Sequence, residues 1–211
     1  MPVLLLRLAA PLQSWGVESK FDTRRTLGYP TKSGVIGLVA SADDLNELKI
    51  GIRVENEGRQ IRDYHTANGE KTKKYITHRF YLSDATFLVG LEHEDAGLIE
   101  KIEDALKHPA FPLFLGRRSC PPPLVWGLRD GDLLDVLKSE SPLLDKQQRK
   151  NADTRLRIIA ESEDGPAIIK DVPVSFDPTF RRFGLRKIKD CYVEIDKPDS
   201  TAEHDPMAEL R

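Results

Sequence analysis

The hydrophobic residues at the start of the chain form one short continuous run. Residues 3–9 read VLLLRLA, in which Arg7 is the one charged position, and an apolar run of this length is typical of a strand buried on both faces. Pro11 and Gly16 follow and mark a loop. The pattern therefore predicts a central strand that leads into a loop.

Further along, the hydrophobic spacing alternates between helical and strand periods. Thr31 or Ser33 can cap a helix whose apolar face begins at Val35. A second helix should end at His108–Pro109, because proline cannot continue it. The predicted order is a strand at 3–9, a helix from about residue 31, strands at 51–56 and 85–94, a helix at 96–108 and a fourth strand at 111–116.

This order, β-α-β-β-α-β, is the ferredoxin-like arrangement that RNA recognition motifs also use. The fold class is therefore predicted to be α+β. Residues 59–82 lie between the second and third strands and exceed the usual length of a hairpin loop. We predict that they form a long protruding β-hairpin, or thumb.

The chain is expected to divide into three parts. Residues 1–120 would form the ferredoxin-like RNA-binding domain, which ends where the proline run at 121–123 breaks the chain. The short strand-like segments within 121–195 predict a smaller, mainly-β lobe. Residues 196–211 are acidic and aperiodic, so we expect a flexible tail.

Charge is unevenly distributed, although the formal net charge is only −2. Residues 59–82 hold six lysines and arginines against two acids, and residues 181–189 hold five basic residues and no acid. Such clusters favour contact with an anionic partner. The structural alternative is an ordinary solvated face.

The sequence argues against several other classes of function. Cys120 and Cys191 lack metal-ligand spacing, and no other constellation of side chains predicts a metal site. We find no glycine-rich nucleotide motif and no nucleophile elbow, so we expect no cofactor. The run at 3–9 is too short for a signal sequence or a membrane span, which favours a cytoplasmic protein without a membrane partner.

The loop after the first strand mixes rings, cations and polar groups, as a nucleic-acid site requires. Trp15 beside a turn predicts an exposed ring on which a base can stack. The helix start at Ser33 would offer backbone N–H groups to a phosphate; the alternative is that the glycines there serve helix packing. The candidate RNA contacts in this segment are Gln13, Ser14, Trp15, Gly16, Arg24, Arg25, Lys32 and Ser33.

A second motif, FLGRRSC, follows the predicted second helix. Gly116 frees the backbone, while Arg117, Arg118 and Ser119 offer two guanidinium groups and a hydroxyl. Adjacent side chains at a strand end project to opposite sides. We therefore predict that one arginine faces RNA and the other a carboxylate within the protein.

The hairpin carries the third set of candidates. Asn68–Gly69 is predicted to be the tip of a tight reversal. The residues around it could wrap a single strand or form a solvated arm. The candidate RNA contacts here are Tyr64, His65, Lys73, Lys74, Tyr75 and Arg79.

A catalytic alternative arises from the same hairpin. His65 or His78 could act as a base toward a ribose 2′-OH, with Tyr64 and either Lys73 or Lys74 beside it. This hypothesis is a metal-independent endoribonuclease that processes repeat RNA. A protein adaptor without RNA contact is a third hypothesis, which the basic hairpin disfavours.

Four segments, LRLAAPLQSWG, YPTKSGVIGLVA, LGRRSCP and RDYHT, closely resemble the CasD family of the RAMP superfamily. Members of this family are subunits of type I-E CRISPR Cascade complexes and hold the 5′ handle of the guide RNA. The resemblance spans about the first 125 residues and continues more loosely through the VPVSF segment and the final strand. Ala10 departs from it, since the family commonly has glycine there.

The resemblance implies a non-catalytic subunit of an antiviral ribonucleoprotein complex. It implies three partners, which are the 5′ handle of the guide RNA, the CasC backbone subunit and the large CasA subunit, and it leaves open a contact with target DNA near the foot of the complex. Relatives of another subtype cleave precursor RNA, which keeps the endoribonuclease alternative open. We expect Trp15, Lys32 and Arg118 to line one common groove.

Overall fold

The computed structural model describes residues 1–17, 23–39, 45–69, 72–121, 125–144, 154–177 and 179–195. It is a mixed α+β structure with few helices. In chain order the elements are β1 (Pro2–Ala9), β2 (Leu12–Gln13), β3 (Gly16–Val17), β4 (Thr23–Thr26), α1 (Lys32–Val39), a 3-10 helix (Leu45–Glu47), β5 (Lys49–Asn56), β6 (Arg59–Gly69), β7 (Thr72–Ser83), β8 (Thr86–Glu92), α2 (Ala96–Lys107), β9 (Val125–Asp130), α3 (Leu133–Ser139), β10 (Arg155–Glu161), β11 (Ala167–Ser175) and β12 (Arg182–Glu194).

The main sheet has seven strands in the order β11-β12-β10-β5-β8-β1-β9, and every neighbouring pair is antiparallel. All seven residues of β8 are buried, and β5 is buried except at its two ends. Continuous burial explains the apolar run of β8, whereas β5 buries two charged residues as a pair, with Arg53 Nε donating to Glu55 Oε1 at 2.6 Å. The predicted strands at 3–9, 51–56 and 85–94 are confirmed.

Helices cover both faces of this sheet. Leu4, Leu6 and Leu8 point to the face that α1 and α2 cover, whereas Val3 and Leu5 point to the face that α3 covers, as the two-residue period of a strand requires. Asp95 and Asp132 cap α2 and α3 by accepting the backbone N–H groups of Gly97 and Leu134, each at 2.9 Å. The two helices predicted from the sequence, at about residue 31 and at 96–108, are confirmed as α1 and α2.

The predicted fourth strand at 111–116 is wrong. Residues 112–114 have no regular structure, and the segment forms a single bridge, between Gly116 and Gln13. Pro112 lacks the N–H that a ladder needs, and Phe111 is 80% exposed. Strand β9 instead pairs with β1 at that edge of the sheet.

The predicted hairpin is confirmed. Strand β6 pairs with β7 from Arg59 opposite Ser83 to Gly69 opposite Thr72. On its other edge β7 pairs with β2 and β4, and β3 adds to β4. The predicted tip at Asn68–Gly69 is wrong, because Gly69 still belongs to β6 and lies opposite Thr72; residues 70–71 lie outside the described residues.

Strands from both sides of residue 120 share the main sheet. Ile159 of β10 enters the core beneath α1 and α2, and Ile158 enters the core that β1 and β8 form with α3. The division of the chain into domains remains a prediction, and the tail at 196–211 lies outside the described residues. Within the part of the chain that the structure describes, no helix has the length and hydropathy needed to cross a membrane.

Candidate nucleic-acid interface

Gly116 brings two of the singled-out motifs together. The Ser14 backbone N–H donates to the Leu115 carbonyl at 2.7 Å, and Gly116 bridges to Gln13. A Cβ at Gly116 would lie 2.9 Å from the Ser14 nitrogen, so glycine allows this approach of two backbones. The QSWG and GRRS segments therefore meet through their main chains.

The predicted exposure of Gln13 and Trp15 is wrong. Gln13 is fully buried and its Nε2 donates to the Ala85 carbonyl at 2.6 Å. Trp15 is 2% exposed, and its ring fills the space beside Gly34, where a Cβ would lie 2.9 Å from the indole Cε3. In this structure neither side chain offers a surface to a base, while Ser14 is half-buried and Gly16 exposed.

The expected phosphate site at the start of α1 is also wrong, because the protein occupies it. Lys32 is 4% exposed; its backbone N–H donates to Asp171 Oδ2 at 2.8 Å, and its Nζ lies 3.0 Å from Glu161 Oε1. Thr31 caps the helix by accepting the Gly34 N–H at 3.1 Å. Ser33 is half-buried, with its hydroxyl 3.4 Å from that of Thr31.

Arg186 completes the cluster at this end of α1. Its Nε and Nη2 donate to the two carboxylate oxygens of Asp171 at 2.7 and 2.8 Å. Burial alone would lower the pKa of Arg186, but the hydrogen bonds and charge of Asp171 and the charge of Glu161 raise it. We call Lys32, Glu161, Asp171 and Arg186 the buried charge cluster.

The hairpin presents a different surface. Asp63 lies opposite Arg79 in β6–β7, and Arg79 lies beside Arg24 in β7–β4. Residues in register on neighbouring strands face the same side of a sheet, so these three side chains form one row. His65 and Tyr81 share their face by the two-residue period, and we call this side the front face of the hairpin.

Arg117 reaches the front face from the loop after α2. Its Nη2 contacts Asp63 Oδ2 and lies 3.3 Å from His65 Nε2. Its Cζ lies 5.2 Å from the centre of the Tyr81 ring, within the range of a cation–π contact. The Nε2 of His65 lies 2.8 Å from Asp63 Oδ2, so one carboxylate orients both an imidazole and a guanidinium.

The predicted division of labour between the two arginines is confirmed for Arg117, which meets the carboxylate of Asp63. Arg118 is exposed, with its Cζ 5.7 Å from the centre of the Phe114 ring, and Ser119 is exposed beside it. The RNA contacts of Arg118 and Ser119 remain predictions.

The opposite side of the hairpin, the back face, carries Tyr64 and His78. Their rings meet edge to face with centroids 5.2 Å apart, and Arg62 bonds the hydroxyl of Tyr64, which is 56% exposed. Tyr64 and His65 therefore face opposite sides of the ribbon. The structure does not bring His65 together with Tyr64 as one catalytic group.

The remaining candidates are scattered. Arg24 and Arg25 are both exposed, but successive residues of β4 face opposite sides, so Arg25 does not join Arg24. Lys74 is exposed, and the side chains of Lys73 and Tyr75 lie outside what the structure describes. Among the described residues no three His, Cys, Asp or Glu side chains are grouped closely enough to hold a metal ion.

The expected groove through Trp15, Lys32 and Arg118 does not exist, because the first two side chains are buried. The surface that the structure does assemble consists of Arg24, His65, Arg79 and Arg117. Sequence reasoning missed Asp63 and Tyr81, which hold Arg117. The spacing of Asp63 and His65 was a usable signal, since residues two apart in a strand share a face.

Comparison with known proteins identifies close relatives. The chain is 34% identical over 148 residues to the CRISPR system Cascade subunit CasD of Escherichia coli (strain K12), an alignment that covers 56% of this chain and 66% of that protein's length. A solved chain described as "CRISPR RNA-guided surveillance complex" is 34% identical and superposes with a TM-score of 0.76 over 92% of this chain and 90% of its own. A second, "Crystal structure of Cas protein", is 37% identical with a TM-score of 0.71 over 93% and 100%.

A family model extends this likeness to nearly the whole described chain. The model described as "CRISPR-associated protein (Cas_Cas5)" matches residues 3–189, which include the entire hairpin and all or most of each strand of the main sheet. The chain therefore belongs to the CRISPR-associated protein (Cas_Cas5) family.

Proposed function

We propose that this chain is a non-catalytic subunit of a Cascade-type, RNA-guided CRISPR complex and binds the 5′ handle of the guide RNA on the front face of its hairpin. The observation that carries the proposal is the imbalance of charge on that face: among the described residues, Arg24 and Arg79 lie in one row with Asp63, and Arg117 contacts the Asp63 carboxylate. The likeness to a chain of an RNA-guided surveillance complex supports it.

The chemistry of the front face suits a ribonucleotide backbone. Guanidinium groups bind phosphate through paired N–H donors, and phosphate contacts supply most of the affinity for nucleic acids. Arg24 is exposed, and Arg79 and Arg117 are half-buried. The Nε atoms of Arg79 and Arg117 are buried and have no hydrogen-bond partner among the described residues, so a phosphate would bind these two arginines through their terminal guanidinium nitrogens.

Asp63 acts in this proposal as a positioning residue. A lone carboxylate among cations repels phosphate, yet it fixes Arg117 between His65 and the Tyr81 ring. A guanidinium held in one geometry loses less entropy when it binds a ligand. Asp63 therefore weakens the positive electrostatic potential of the front face but orients the guanidinium group of Arg117.

The finer architecture and the partners belong to the same proposal. The order β9-β1-β8-β5 within the main sheet supports a ferredoxin-like, RRM-type core, with the hairpin as its thumb and the later strands as an added lobe. The expected protein partners are the CasC backbone subunit and the large CasA subunit. The likeness of this chain to the Cascade subunit CasD supports this part of the proposal.

The test is handle binding by a double variant, Arg79→Ala with Arg117→Ala. A synthetic 5′-handle RNA, titrated with the full chain and followed by fluorescence anisotropy, should bind about 100-fold more weakly, at about 1.5 kcal/mol for each charged hydrogen bond lost. The matched control, Arg129→Ala with Arg157→Ala, removes two half-exposed guanidiniums elsewhere. Equal weakening in both would contradict the assignment of the front face.

Asp63→Asn separates positioning from simple electrostatics. Removing a negative charge from the front face should tighten RNA binding if charge alone matters. We expect weaker binding, because the neutral amide holds Arg117 less firmly. Tighter binding by the variant would show that Asp63 has no positioning role.

One observation favours the second candidate function, a metal-independent endoribonuclease. His65 lies 2.8 Å from a carboxylate that can orient it, an arrangement that general bases use. Incubating the chain with repeat RNA in EDTA tests this directly. Cleavage that disappears in His65→Ala would favour the enzyme, and absence of cleavage by the wild-type chain would favour the binding role.

A further inference from the structure

The two outermost strands of the main sheet carry an uncovered face. On β12 the side chains of Cys191 and Val193 pack against the core beneath α3, and the same face continues along alternate residues to Leu185 and Phe183. Those two side chains are 67% and 37% exposed. No described helix lies over this end of the strand, since α3 contacts β5 and β8.

Strand β11 adds a third apolar side chain to that face. Ile168 pairs with Lys187 in the ladder, so it lies diagonally next to Leu185, and it is 65% exposed. Side chains at diagonal positions of neighbouring strands come within reach of one another. Ile168, Leu185 and Phe183 thus form a continuous apolar stripe. Such a stripe indicates an interaction surface, whereas exposed apolar residues scattered singly do not.

The stripe is flanked by cations. Lys170, Lys187 and Lys189 occupy the same face by register and alternation. The carboxylates of Asp171 and Asp190 face the other side, where they pair with Arg186 and Arg157. Neither β11 nor β12, both of which the structure describes throughout, places a carboxylate on this face. Of the five basic residues at 181–189, Arg186 is buried, Lys187 and Lys189 lie on this face, and Arg181 and Arg182 are exposed where β12 begins.

We propose that this face docks a segment of another protein subunit of the complex, one that presents apolar side chains between carboxylates. The inference rests on the proposed function, because it takes the chain to be part of an assembly. Burial of the stripe would supply the hydrophobic driving force, and the three lysines would complement the partner's acids and set its register.

A protein fits this face better than RNA does. Ile168 and Leu185 are aliphatic and have no π-face on which a base can stack, whereas stacking platforms are built from aromatic rings. Among the described residues β11 pairs with β12 alone, so its outer edge can receive a strand of the partner.

Hydroxyl-radical footprinting of the wild-type protein is the first test. The complex is assembled by co-expressing all subunits of its CRISPR locus with a guide RNA, and side-chain oxidation is compared with that of the chain alone. Oxidation of Ile168, Phe183 and Leu185 should fall to the level of buried Leu156 and stay low after ribonuclease digestion. Unchanged oxidation, or protection that ribonuclease abolishes, would overturn the proposal.

The second test uses the variant Ile168→Asp with Leu185→Asp. Both positions are exposed, so the variant should fold, and the complex purified through this chain should lose a protein subunit while handle RNA affinity stays at the wild-type value. Phe111→Asp, at an exposed apolar residue in the segment after α2 and outside β11 and β12, is the control and should keep every subunit. A full set of subunits with the double variant would overturn the proposal.

The two proposals can fail separately. If the wild-type chain purifies with protein subunits but without guide RNA, the proposed function fails. The footprint of that RNA-free assembly still decides the docking face: protection of Leu185 supports it, and no protection overturns it.

Discussion

Around Asp171 each cation meets a carboxylate and little of either is exposed, whereas on the front face of the hairpin Arg117 alone contacts the carboxylate of Asp63, and Arg24 and Arg79 form no ion pair among the described residues. The side chains of Asp171 and Arg186 are 1% and 6% exposed. Those of Asp63 and Arg117 are 31% and 35% exposed. Both regions combine basic side chains with carboxylates. They differ in the ratio of cations to carboxylates and in how exposed the side chains are.

The difference shows which arginines and lysines are free to act. Buried charges must be paired, because an unpaired charge in the interior is strongly unfavourable. The buried charge cluster satisfies this condition internally and joins α1 to β10, β11 and β12. The front face leaves positive charge uncompensated, as a surface for an anion requires.

The largest expected effect breaks the buried charge cluster. Asp171→Ala removes the acceptor of two Arg186 N–H groups and of the Lys32 backbone N–H, and it leaves the buried Arg186 guanidinium with Glu161, 3.3 Å from its Nη1, as its remaining carboxylate partner. We expect the free energy of unfolding to fall by about 3–5 kcal/mol in urea titrations. Asp190→Ala, in a half-exposed pair with Arg157, is the control and should cost less than about 1 kcal/mol. Equal losses of stability in Asp171→Ala and Asp190→Ala would show that the buried charge cluster is no more important for folding than an exposed ion pair.

A smaller effect is expected at the glycine that accommodates Trp15. In Gly34→Ala the new methyl would lie 2.9 Å from both the indole Cε3 and the Thr31 hydroxyl, which should destabilise the fold by about 1–3 kcal/mol. Gly37→Ala on the same helix meets nothing within 4 Å and should be neutral or stabilising by up to about 1 kcal/mol. Thermal unfolding compares the two variants. A Gly34→Ala variant as stable as the wild type would contradict the tight packing of Trp15 against Gly34.

On the front face the expected change is in binding. Arg24→Ala should weaken handle RNA binding about tenfold, or about 1.4 kcal/mol, and reduce the slope of log affinity against log salt concentration by about 0.7 for one phosphate on a single strand. Arg25→Ala, on the other side of β4, should change both less. Titrations at several salt concentrations measure this, and identical slopes would place both arginines outside the RNA path.

The smallest effect concerns a pair of intermediate exposure, Arg129 with Glu140. Burial alone would raise the pKa of Glu140, but hydrogen bonds from Arg129 and Trp126 lower it below its ordinary value of 4.5. A carboxyl group whose pKa is lowered by folding stabilises the folded state at pH values above 4.5. This contribution is lost as the pH falls through the pKa of the folded state. Glu140→Gln should therefore cost less than about 1 kcal/mol at pH 7 and less still in acid. A loss of stability in Glu140→Gln that grows as the pH falls would contradict the predicted pH dependence.

Local patterns were sufficient for much of the fold. Apolar periodicity predicted β1, β5, β8, α1 and α2, because these elements bury whole faces and their spacing records it. The fourth strand failed at 111–116, where an apolar composition hid the missing donor of Pro112. The strand that took its place, β9, follows a proline run that the sequence reading treated as a boundary.

The candidate site was less predictable because it depends on distant pairs. Lys32 looks like a phosphate ligand until Glu161, 129 positions later, is found beside its ammonium group. Trp15 looks exposed until Gly34 supplies the space that buries it. The pairing of Arg117 with a carboxylate followed from local geometry, whereas the identity of Asp63 required the register of the hairpin.

The most direct test of the central claim is ultraviolet cross-linking of the guide RNA in the assembled complex, with the cross-linked residues identified by mass spectrometry. The account predicts that peptides of this chain that carry Arg79 and Arg117 cross-link to nucleotides of the 5′ handle. Handle cross-links confined to the back face around Tyr64, or an absence of cross-links to this chain, would contradict it.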